Sequence, residues 1–100
     1  MVNDVTVDNA PEGEVVATEL LGSSISSAKG NNAQFEAALP ENPQVRYYNG
    51  RQRGYLSCTV TPDTWTADLW FVDDVRLADS PVRRGASYVV RDGLLGAVPA

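Results

Sequence analysis

The sequence predicts a β-rich α+β fold of about five strands, mainly an antiparallel meander, with one short helix. Three observations carry that prediction. After Pro43, aromatic and β-branched residues recur with a period of two in four separate stretches. Turn-forming residues, notably Asn49-Gly50 and Pro62-Asp63, separate the first three of these stretches. A pair at helical spacing, Phe35 and Leu39, is followed at once by Pro40 and Pro43, which lack an amide proton and end a helix.

Taken in order, residues 1–14 are polar and acidic and contain the loop-like Asn9-Ala10-Pro11-Glu12-Gly13, so they read as a weakly ordered opening segment. The folded unit then runs over 15–100. Residues 15–21 are apolar, β-branched at the start and followed by Gly22, as expected of a strand. Residues 23–30 are small and polar and read as a loop. Asn31 with Gln34 three residues later resembles a helix-start capping arrangement.

Four strands follow, over 45–48, 54–61, 65–72 and 86–91. Asn49-Gly50 suits a hairpin turn with positive φ, and Pro62 presets φ for a second turn. Alternation places Leu56, Cys58 and Val60 on one face of their strand, and Trp65, Ala67, Leu69 and Phe71 on one face of the next. The core is expected between these two sets, with Cys58 as a core thiol. Trp70 and Val72 on the opposite face imply a second covering layer and exposed apolar surface where that layer is missing.

Composition excludes several function classes. Thirteen acidic against eight basic residues give a net charge of −5, which disfavours a general nucleic-acid binder or attachment to an anionic membrane. No apolar run approaches the roughly 20 residues that span a bilayer, and no signal peptide is recognisable, so localisation stays undetermined. Cys58 is the only cysteine and there is no histidine. Zinc-site spacing, a Cys–His nucleophile and a serine hydrolase are therefore all excluded, the last despite Ser23, Ser24, Ser26 and Ser27. Asp73-Asp74 are strand neighbours that point to opposite faces, and Asp4 and Asp8 lie in an unsupported segment and are expected to face solvent. No catalytic or metal-ligating residue is assigned. Arginine is the one side chain here whose planar fork suits phosphate, and Arg51, Arg53, Arg83 and Arg84 lie in expected loops. Arg53 and Arg84 are taken forward as candidate phosphate contacts, against the alternative of solvated loop charge.

An ordered set of short motifs adds a family resemblance. Gly22-Ser23-Ser24-Ile25-Ser26-Ser27, Asn42-Pro43, Arg53-Gly54-Tyr55, Cys58, Val60-Thr61-Pro62, Trp65 with Ala67-Asp68, and Ala86-Ser87-Tyr88-Val89-Val90 follow one another over some eighty residues. In order and spacing they resemble the C-terminal segment of the alkaline phosphatase D (PhoD-like) metallophosphatases. The chain departs from that pattern at Leu69-Trp70, where the family has Tyr-Arg, and at Arg83-Arg84, where it favours Ser-Thr.

The resemblance implies a part of an α/β/β/α sandwich that hydrolyses phosphate mono- and diesters with bound calcium and iron. It also implies that the metal ligands, including a Gly-Asp-x-His element, belong upstream of Val2-Asn3-Asp4, and that the family is typically exported. On this view the chain itself holds no cofactor, has the remainder of the catalytic domain as its partner, and is inactive alone. A second reading stays open, a freestanding β-rich accessory or protein-binding module, and so does an unproductive remnant.

Overall fold

In a computed structural model of the protein, residues 1–24 and 32–100 are described. Their strands form two antiparallel sheets. In the first, β1 (Val2–Thr6) lies between β2 (Val15–Leu20) and β3 (Val45–Tyr47). In the second, β4 (Arg53–Val60), β5 (Thr64–Val72), β6 (Val82–Arg91) and β7 (Val98–Pro99) stand in sequence order, the meander that the alternation predicts. One short helix, α1 (Ala33–Ala38), continues into a 3₁₀ turn, Leu39–Glu41. No helix among the described residues is long and apolar enough to cross a membrane.

The β4–β5 hairpin is built as its sequence suggests. Thr61 and Thr64 close the turn through a backbone bond of 2.8 Å, and the Thr61 hydroxyl also accepts the Thr64 amide at 3.1 Å. Pro62 and Asp63 remain at the tip, and the register then pairs Val60 with Trp65 and Leu56 with Leu69. That register turns Ala67, Leu69 and Phe71 toward the first sheet, where they are buried. Val2, Leu69, Phe71 and Ala97 form the core, flanked by Leu20, Tyr47, Leu56, Ala86, Tyr88 and Val90. Each fully buried large side chain contributes about 1.5–3 kcal/mol.

Two glycines permit this packing. A side chain at Gly54 would run into the Trp70 carbonyl across the hairpin, so only glycine lets β4 and β5 pair there. Gly85 sits beneath the Phe71 ring, at the register shift between Leu69 and Trp70 where β6 bulges.

Four expectations are corrected. The opening segment is not weakly ordered over its first part, since Val2–Thr6 is the central strand of its sheet. Asp4, expected in solvent, is 1% exposed. Its carboxylate accepts the Arg46 Nε–H at 2.6 Å from β3 and the Ala97 amide at 3.2 Å from the segment before β7. Burial of this acid is supported by paired donors, which a hydropathy pattern does not register.

Asn49-Gly50 does not form a hairpin, because β3 and β4 belong to different sheets. The Asn49 side chain instead accepts the Arg51 and Gln52 amides at 3.0 and 3.1 Å, a local turn that carries the chain from one sheet to the other. Finally, Cys58 is exposed and is not a core thiol. It occupies the inward face as expected, but the first sheet does not extend over that end of β4.

The capping role expected of Asn31 lies outside the described residues, as do Ile25, Ser26, Ser27 and Gly30. The helix opens at Asn32, whose side chain makes no cap; it donates to the Gly50 carbonyl and accepts the Tyr48 hydroxyl at 2.9 Å. Phe35 stacks on Tyr48 at 6.1 Å, which ties α1 to the end of β3.

Candidate functional site

Antiparallel pairing decides which charged residues meet. Because Arg53 opposes Val72, the start of β4 and the end of β5 share one end of the second sheet. Arg51, Gln52 and Arg53 there face Asp73, Asp74, Val75 and Arg76 across an open cleft of about 400 Å³. Arg83, near the start of β6, joins the same end by donating to Asp73 at 2.7 Å.

Most of these arginines hold a carboxylate. Arg51 forms a two-pronged pair with Glu36 of α1, both contacts at 2.9 Å, and Arg76 does the same with Asp74 at 3.0 and 2.9 Å. The Arg76 guanidinium, helped by the Arg76 backbone amide, holds the Asp74 carboxyl down at about 2. Glu36 is likewise lowered by the hydrogen bond from Arg51. Among the described residues the cleft is thus a network of paired charges in which Arg51, Arg76 and Arg83 each hold a carboxylate.

Arg84 is placed elsewhere. It opposes Trp70 on β6 and lies 3.8 Å from Asp68, which also accepts the Ser87 hydroxyl at 2.6 Å. Arg53 and Arg84 therefore share a face of the second sheet, on either side of β5, but do not line one cleft. Between them Trp70 stacks on Tyr55 at 6.3 Å with the rings nearly parallel.

Asp73 and Asp74 are each committed to a different arginine. Among the described residues no group of three or more His, Cys, Asp or Glu side chains converges as a metal site requires. The described side chains thus offer no clustered carboxylate, imidazole or thiolate donor set for a calcium or iron centre. Cys58 sits toward the far end of β4 from the cleft. The Asp4–Arg46 pair is the polar site that the sequence pattern missed; its sole signal is that Asp4 alternates with Val2 and Thr6, the other buried residues of β1.

Comparison with known proteins settles the wider context. The family model described as PhoD-like phosphatase matches residues 1–69. The chain belongs to the PhoD-like phosphatase family. This PhoD-like chain is 34% identical over 87 residues to alkaline phosphatase D of Bacillus subtilis (strain 168), an alignment covering 83% of the chain and 15% of that relative. A solved structure described as "Structure of PhoD" superposes with a TM-score of 0.82 at 29% identity, covering 99% of the chain and 20% of the matched one. The chain thus spans a fifth or less of the length of these relatives. Two antiparallel sheets with one short helix are what it shares with PhoD, consistent with a part of a larger domain. The family implies metal cofactors, and homology to a larger phosphatase implies the rest of a catalytic domain as partner.

Proposed function

We propose that this chain is the C-terminal part of a PhoD-like metal-dependent alkaline phosphatase or phosphodiesterase, in which it completes the sheets and shapes the rim of the site. The observation that carries the reading is a match over nearly the whole chain to a protein about five times longer. Among the described residues no three His, Cys, Asp or Glu side chains converge, and the reading assigns the ligands for calcium and iron to the remainder of the enzyme. The chain's own work is positional: it fixes β4–β6 and presents arginines toward a phosphate ester. Arg53 and Arg84 are the residues we assign to phosphate contact.

Purified 100-residue chain supplied with calcium and iron should not turn over p-nitrophenyl phosphate or bis-p-nitrophenyl phosphate. Metal-dependent hydrolysis above that of a matched blank would refute this part of the reading. In the complete enzyme, Arg53→Ala or Arg84→Ala should raise KM for the ester, and an unchanged KM removes that residue from the assignment.

The exposed apolar side chains Val60 and Trp65 favour a second reading, a freestanding accessory or protein-binding module. An antibody against this segment, used on source-cell extracts, separates the two. A species several times larger than 100 residues supports the phosphatase, and one of 100 residues supports the module.

A further inference from the structure

The cleft at the end of the second sheet holds more hydrogen-bond donors than its own carboxylates use. Glu36 holds Arg51 through Nε and Nη2, and Asp74 holds Arg76 through the same two atoms. A guanidinium carries five N–H groups in one plane, so each pair occupies one edge and leaves the Nη1 edge without a partner among the described residues. Gln52 adds to the excess. Its Oε1 accepts from Asn49 at 3.1 Å, which leaves its NH2 as the group it offers a ligand.

The acceptors, by contrast, are mostly engaged. Both oxygens of Glu36 and both of Asp74 take a guanidinium bond, and Asp74 Oδ1 also accepts the Arg76 amide at 3.0 Å. Asp73 takes Arg83 at Oδ2 alone. The bonds that occupy one edge of Arg51 and Arg76 also steady the other. These side chains are 73% and 83% exposed, and a carboxylate behind each restricts the rotamers that an anion would otherwise have to freeze. Asn49 Oδ1 stiffens the loop itself by accepting the Arg51 and Gln52 amides.

Volume and donor geometry limit the occupant. About 400 Å³ lies within the roughly 300–1,000 Å³ of small-molecule sites. A carboxylate presents two oxygens in a plane and satisfies one guanidinium edge, whereas a tetrahedral phosphoryl group presents enough oxygens for two edges on opposite walls and an amide besides. At a net charge of −5 the chain as a whole repels anions, so retention of one here is a local effect. We propose that the cleft is a phosphoryl-binding subsite in which Arg51 and Arg76 donate to one phosphate dianion from opposite walls and Gln52 donates between them. The subsite deepens the function proposed above and rests on it for one of two sources of the group, a phosphate ester; the other source is free phosphate.

The test titrates the purified 100-residue chain with inorganic phosphate and, separately, with β-glycerophosphate at constant ionic strength, and follows the arginine Nε–H signals by NMR. Saturable shifts at Arg51 and Arg76 are the expected result; shifts that β-glycerophosphate produces assign the ester, and shifts with phosphate alone assign free phosphate. Arg51→Gln and Arg76→Gln should each weaken binding about threefold. Arg51→Lys keeps the charge but loses the planar edge and should weaken it too, while Asp73→Asn removes a repelling charge and should tighten it. Arg91 pairs with Thr64 at the opposite end of the sheet, and Arg91→Gln should change nothing. Absent or non-saturating shifts, full affinity in Arg51→Lys, or an equal loss in Arg91→Gln would reduce the effect to diffuse charge and overturn the subsite. That outcome leaves the proposed function standing, since the size of the species in cell extracts decides it separately.

Discussion

Asp4 is the side chain whose removal tells most about how this fold is held. Its carboxylate is buried on the central strand and joins three parts of the chain, accepting from Arg46 at 2.6 Å and from the Ala97 amide at 3.2 Å. Replacement by alanine removes a charge-assisted hydrogen bond, worth about 1.5–3 kcal/mol, and strands a buried amide at a further 1–3 kcal/mol or so. Arg46 is 52% exposed and can turn to water, so the first figure belongs at its lower end. Removing the acid also relieves its own burial cost, which trims the sum to about 3 kcal/mol. That is a large share of the ~5–15 kcal/mol that holds a small domain together.

Urea unfolding followed by the fluorescence of Trp65 and Trp70 measures it. Asp4→Ala should lower the midpoint by this free energy divided by the slope, with the slope itself unchanged. Asp4→Asn keeps an oxygen for the Ala97 amide but turns an NH2 toward Arg46 and loses that hydrogen bond with the charge, so it should cost about half as much. Arg46→Ala should cost at least as much as Asp4→Asn, because it leaves a buried carboxylate with one donor. A midpoint for Asp4→Ala within error of the parent would refute the reasoning, as would Asn and Ala variants of equal stability.

Further outcomes follow from the same geometry. Gly54→Ala should open the β4–β5 pairing, seen as lost amide-exchange protection at Trp70 and Phe71, whereas Gly93→Ala, where the added carbon meets no neighbour within 4 Å, should cost only the strain of its positive φ. Cys58 in the isolated chain should react with a thiol reagent at once without denaturant; a thiol that reacts only after unfolding would contradict its exposure. Asp74 should titrate near 2 by carbon-detected NMR, below the ordinary 3.8. Since the folded-state value is the lower one, the stabilisation from the Asp74–Arg76 pair is fully present above about pH 4 and is lost as pH falls through about 2. Arg76→Ala should return the Asp74 midpoint toward 3.8, and an unmoved midpoint would remove Arg76 as its cause.

Much of the second sheet was legible because its elements rely on local chemistry. Pro62-Asp63 between threonines favours a turn through local chemistry alone, and Trp65, Ala67, Leu69 and Phe71 state a face without help from the rest of the fold. The first sheet relies on distant partners. β1 offers only Val2 and Val5 as apolar residues and is held centrally by a buried acid whose partners lie 42 and 93 residues away. No window over residues 1–6 contains that information.

Cys58 shows a related limit. Period-two alternation assigns a side chain to a face, while burial depends on whether another layer reaches that far. At the cleft, the sequence put arginines in two loops and hairpin register brought Arg51, Arg53 and Arg83 to one end. A single-residue step, together with the bulge at Gly85, left Arg84 opposite Trp70 instead. The motif Arg53-Gly54-Tyr55, met first as a resemblance, has a mechanical reason in the backbone of Trp70, which leaves no room for a side chain.

The span of the Asp4 bonds has a consequence for how the molecule assembles on the ribosome. Closing a loop of 93 residues has a high entropic cost, and contacts of such separation form late in folding. While this segment is being synthesised, β1 can meet β2 before Arg46 of β3 arrives, but its carboxylate lacks the Ala97 donor until residue 97 has emerged. Of the described strands, β1 is thus among the last to be locked. Chaperones and proteases would meet a nascent chain whose hairpin of β4 and β5 is already paired while β1 still exchanges with water.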